Sequence, residues 1–115
     1  MDKTKLMLAT TVEHEFFDGS TVKCTLAMYR LKQLASKNKK LYETAMKVLG
    51  KGTEDVFESI RVVYAAYVCA NMDEENLLTE DEFVMLCGSD YAGINQTVTA
   101  LINPKKRKVS DEPSD

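Results

Sequence analysis

Apolar positions along this chain keep two rhythms, one of two residues and one of three to four. Between Leu6 and Phe16, Val12, His14 and Phe16 alternate with Glu13 and Glu15, the period of a half-buried strand. A second short run, Thr21 to Thr25, sets Val22 and Cys24 on one face. Asp18 and Gly19 lie between the two runs, so they read as a hairpin. A two-residue loop would set Phe16 opposite Thr21. A three-residue loop, Phe17 to Gly19, sets Val12 by Cys24 and His14 by Val22 instead. The longer loop is preferred, because Gly19 can supply the left-handed conformation it needs.

After Thr25 the rhythm lengthens. Thr25 reads as the N-cap of a helix carrying Leu26, Tyr29, Leu34 and Ala35. Asn38 reads as the cap of a second helix, with Leu41, Ala45, Val48 and Leu49 as its apolar stripe and Gly50 and Gly52 at its end. Thr53 opens a third, with Glu54 and Asp55 in the first turn, where the helix dipole favours acids. From Val56 to Ala70, Phe57 included, that helix is apolar on nearly all sides, which predicts a central position. Thr79 and Glu82 spell a capping box, and Leu78 with Phe83 a hydrophobic staple, at the start of a fourth helix that Gly88 stops. Ser89 or Asp90 caps a fifth, with Tyr91, Ile94, Val98 and Leu101 on one face and Pro104 at its end. The expected fold is therefore mainly α: about five helices packed around a central apolar helix, with an N-terminal β-hairpin. Residues 1–103 form one domain in this reading, and 104–115 a disordered charged tail.

Composition changes this picture little. A chain of 115 residues with 44% hydrophobic and 29% charged positions suits one soluble globular domain. Its three cysteines, Cys24, Cys69 and Cys87, form no CxxC pair, and MDKTKLMLATT reads as no secretory signal. Both point to a reducing cytosol. No run of about 18 apolar residues is present, so no membrane span is expected. The net charge of −3 weighs against a nucleic-acid partner, since phosphate contacts dominate such affinity. The charge is unevenly spread, however. Arg30 to Lys51 is basic except for Glu43, and Glu54 to Glu82 is acidic except for Arg61. Such separation suits an oppositely charged partner or a homo-oligomer joined head to tail, although solvated faces explain each single charge.

Candidate chemistry is sparse. Asn71, Asp73, Glu75 and Glu82 stand at positions 1, 3, 5 and 12 of an EF-hand-like calcium loop, but Asn76 occupies the place of its glycine. A plain helix start explains the same residues. His14, the single histidine, lies on an apolar strand face, which predicts a structural role. No nucleophile–base pair, phosphate loop or carboxylate dyad has a recognisable spacing, so neither catalytic residues nor a cofactor are expected. PKKRKV, Pro104 to Val109, has the composition of a nuclear import signal and equally of a solvated tail. Methionines such as Met28, Met46, Met72 and Met85 fall in or beside helices. They read as core filler, or as an adaptable binding surface. The candidate partner-binding residues are Met28, Arg30, Lys32, Lys39, Lys40 and Met46.

Taken together, FFDGSTVKCTLAMYRLKQLASKNKKLYE, VVYAAYVCANMD, EFVMLCG and TVTALINPKK resemble the tail assembly chaperones of long-tailed bacteriophages and prophages. The resemblance covers roughly Phe16 to Lys106 and lies in the overall pattern, with no catalytic residue to carry over. It implies a small helical protein of the bacterial host cytoplasm, absent from the mature virion. It implies the tape-measure protein as client, kept soluble while tail-tube subunits are recruited. It also implies, in many relatives, a longer form made by a ribosomal frameshift near this end. The other classes weighed are a calcium-binding regulatory module and a small nucleic-acid-binding regulator.

Overall fold

A computed structural model describes residues 11–103. Strand β1 (Thr11–Glu15) and strand β2 (Thr21–Thr25) pair antiparallel as a two-stranded sheet. The register sets Val12 against Cys24 and His14 against Val22, as the three-residue loop requires. Gly19 turns the chain at φ 92°, and the Asp18 carboxylate accepts from the Ser20 amide at 3.0 Å and hydroxyl at 2.7 Å. Residues 6–10 of the expected first strand lie outside the described residues, as does the tail from Pro104 onward.

Among the described residues five helices follow: α1 (Met28–Lys37), α2 (Lys39–Lys51), α3 (Val56–Ala70), α4 (Glu80–Cys87) and α5 (Tyr91–Ile102). Helix α3 is central and packs against β2 and the helices α1, α2, α4 and α5. Val62, Val63, Ala65, Ala66 and Cys69 on it are buried. Phe83 of α4 is the aromatic hub of the core. Its ring lies 5.0 Å from that of Phe16, and 5.4 Å from those of Tyr64 and Tyr67.

Most of the expected helix signals hold. Asn38 caps α2 by accepting from the Leu41 amide. Thr79 and Glu82 make the reciprocal capping box of α4, with bonds of 2.9 and 3.1 Å. Leu78 packs against the core that holds Phe83, as the staple requires. Gly52 and Gly88, at φ 82° and 58°, end α2 and α4.

Two caps differ from expectation. Thr25 stays in β2, fully buried, and its hydroxyl accepts from the Ala27 amide at 3.1 Å. That local turn delays α1 to Met28, so Leu26 precedes the helix. For α3 the cap is Asp55 rather than Thr53, and its side chain accepts from the Glu58 amide. Glu58 in turn accepts from the Glu54 amide at 2.8 Å, which draws Glu54 and Asp55 out of the first turn and into the cap. Gly50 lies inside α2, and of the two candidates before α5 Asp90 is the cap.

Four side chains expected on apolar faces are exposed instead: Tyr29, Leu49, Phe57 and Tyr91. In α1 the core positions are Leu31 and Leu34. Helix α3 is therefore covered on all sides only beyond Arg61; in its first turn Phe57 is 70% exposed.

Candidate functional site

The site begins with two apolar rows on one helix. On α2, Leu41, Ala45 and Val48 are buried in the core. Beside them, Tyr42, Met46 and Leu49 form a second row at the same helical spacing. This second row is only half covered, with Met46 44% and Leu49 37% exposed. Helix α1 repeats the arrangement. Leu34 is buried, while Met28, Leu31 and Ala35 line the same outer space as the second row of α2. Leu101 and Ile102 at the end of α5 close its third side, with Leu26 at the strand-to-helix turn. The result is an open groove of about 560 Å³, apolar except for Lys32 at its edge.

Met28 is 88% exposed, the most uncovered large apolar side chain among the described residues. An unbranched thioether on an open apolar surface can repack against differently shaped partners. Lys32, Lys39 and Lys40 are exposed and make no ion pair among the described residues. Lys32 lines the groove, and Lys39 and Lys40 stand on the first turn of α2. The groove thus combines an apolar floor with a single lysine, Lys32, at its edge.

Arg30 does not join it. Its guanidinium lies 3.9 Å from the Asp73 carboxylate, donates to Gln33 Oε1 at 3.1 Å and sits 5.5 Å above the Tyr29 ring. Its Nε is buried without a partner. The six candidates therefore divide: Met28, Lys32 and Met46 share the groove, Lys39 and Lys40 are exposed beyond its lining, and Arg30 turns to the acidic loop.

The two charged stretches meet within one chain. Lys47 of α2 binds Glu58 at 2.8 Å and Glu54 at 3.3 Å, and Arg61 binds Glu80 at 2.9 Å. These exposed pairs contribute little to stability, but they withdraw Lys47 from the basic face.

The calcium-loop residues do not converge. Asn71 Nδ2 donates to the Lys23 and Tyr67 carbonyls at 3.1 and 2.8 Å, and Glu82 is engaged in the capping box. Among the described residues no three His, Cys, Asp or Glu side chains are grouped to hold a metal ion. His14 is buried, with Nδ1 2.7 Å from the Thr97 hydroxyl and its ring against Phe16 and Phe83. Burial lowers its pKa, against the opposing pull of Asp90 and Glu15. The three thiols are buried, and desolvation pushes Cys24 and Cys69 up to about 12 and Cys87 to about 11.

Residue-by-residue reading missed most of the groove: Leu26, Leu31, Ala35, Tyr42, Leu101 and Ile102. Leu49, on the apolar stripe by its spacing, belongs to the groove and not to the core. The available signal was the doubling of rows on α2, where 42, 46 and 49 repeat the spacing of 41, 45 and 48 one residue on.

No family model matches the chain, and comparisons with curated proteins and with solved structures found no match.

Proposed function

We propose that this chain is a non-enzymatic assembly chaperone that holds a helical segment of a long client in the groove between α1, α2 and α5. The observation that carries the reading is the second apolar row of α2, left half covered and facing Met28 across an open groove. An amphipathic helix lays its apolar face into such a groove, anchored by residues three and four apart. Lys32 at the groove's edge favours a client helix with an acidic flank. Following the resemblance, the client is the tape-measure protein of a long-tailed phage, and the place of action is the host cytoplasm during tail assembly. Binding the client's apolar face keeps it soluble by mass action, and no covalent step is required.

Co-expression tests this. The client's soluble fraction should rise with the native chain. It should fall back with Met28→Asp combined with Met46→Asp, two exposed positions whose change leaves the core intact. A matched Phe57→Asp variant, at an exposed position on α3 outside the groove's lining, should retain the rescue. Equal rescue by all three proteins would exclude the groove as the client site.

A further inference from the structure

A second cleft, separate from the apolar groove, lies between β1 and α5. It measures about 680 Å³. One wall is the strand from Val12 to Phe17, and the other is the α5 face of Gly93, Gln96, Thr97 and Ala100. These helix positions recur at three- and four-residue intervals and carry small or uncharged side chains. The buried His14–Thr97 hydrogen bond ties the two walls together beneath the cleft.

The strand wall has unused hydrogen-bonding capacity. The Phe16 amide donates to the Ser20 carbonyl at 2.7 Å, which fixes the phase of the ladder. Counting back through the register, His14 and Val12 are the residues whose backbone groups face β2. Glu13 and Glu15 therefore direct their N–H and C=O groups to the outer edge. The other strand confirms the phase. Lys23, paired with Glu13, turns its carbonyl outward, where Asn71 Nδ2 caps it at 3.1 Å. So the edge of β2 is covered by a side chain, whereas that of β1 opens on the cleft. Exposed edges recruit further strands unless they are blocked.

Charge selects the strand that fits. Glu13, Glu15 and Asp90 line the cleft, and no Lys or Arg does. We infer that β1 accepts an extended basic peptide as a third strand, seated between the sheet edge and α5. Backbone groups of the peptide pair with Glu13 and Glu15. Its alternate side chains, Lys or Arg, lie on the outer face beside the two glutamates. The intervening side chains point to the α5 wall, where the short side chain of Ala100 lets Ala or Val approach, while the Asp90 carboxylate fills the space beside Gly93.

The probe is a fluorescein-labelled seven-residue peptide alternating Lys or Arg with Val, capped at both ends, added to the full chain. Fluorescence anisotropy should report saturable binding, and amide exchange at Glu13 and Glu15 should slow at least tenfold. Glu13→Gln with Glu15→Gln should weaken binding by about tenfold without moving the melting temperature, because both side chains are exposed. A peptide N-methylated at alternate residues should not bind. Absence of binding would overturn the proposal. So would equal binding of the N-methylated peptide, which would reduce the contact to charge alone. Binding seen only after removal of residues 104–115 would assign the cleft to the chain's own basic segment and would also overturn it.

Discussion

Replacing Phe83 with alanine empties the point where four rings converge. Its side chain is fully buried, with Phe16, Tyr64 and Tyr67 at 5.0 to 5.4 Å and His14 at 6.1 Å. Truncating a buried Phe costs about 3–5 kcal/mol, through lost transfer energy and the cavity left behind. The upper half of that range applies here. The neighbours come from β1, α3 and the hairpin end, and cannot all relax inward together. Edge-to-face pairs of this kind add roughly 0.5–1.5 kcal/mol beyond area. A domain of this size has about 5–15 kcal/mol in total, so the variant should sit near the edge of folding. Met85 lies two residues further along the same helix and is 78% exposed. Met85→Ala should change stability by no more than about 0.5 kcal/mol. Urea melts of both variants against the native chain, followed by far-ultraviolet circular dichroism, give the two values from the shift in midpoint. Losses within about 1 kcal/mol of each other would refute the placement of Phe83 and the orientation of α4.

Thr79→Ala removes the cap of α4 and frees Glu82, and should cost about 1 kcal/mol in the same melts. Thr97→Val leaves His14 Nδ1 buried without its partner, and should cost about 1–3 kcal/mol. His14 also sets a pH dependence. Its folded pKa lies below the ordinary 6.5, so the unfolded chain takes up the proton more readily. That contribution is complete above about pH 6.5 and is lost as pH falls from there through the folded value. The difference between the native chain and His14→Gln should follow this course in melts at stepped pH, and a flat difference would contradict it. Cys24, Cys69 and Cys87, buried and with raised pKa, should react with a thiol reagent at pH 8 only after denaturant is added.

What could be read from the sequence was local, and what could not was tertiary. Gly19 at φ 92° fixed the hairpin register, and Thr79 with Glu82 fixed the start of α4, because each device is complete within a few residues. Thr25 has the right chemistry for a helix cap, yet its hydroxyl serves Ala27 two residues on while its own position is buried in β2. Which of Thr53 and Asp55 caps α3 depended on Glu58 reaching back to Glu54. Tyr29, Leu49, Phe57 and Tyr91 fit an apolar period and are exposed, because period marks a face and not what covers it. The candidate site was half legible for the same reason. Met28, Lys32 and Met46 were read as partner residues and share a groove. Arg30 belongs to the same basic run, but Asp73, distant in sequence, draws it away.

The groove itself can be watched directly. Methyl-detected NMR with labelled Met, Leu and Ile, titrated with an amphipathic helical peptide from a tape-measure protein, separates its lining from the rest of the surface. Met28, Met46, Leu49 and Ile102 should shift together along one binding curve, while the exposed Met85 stays still. Shifts centred on Met85, or none at saturating peptide, would contradict the groove as the client site.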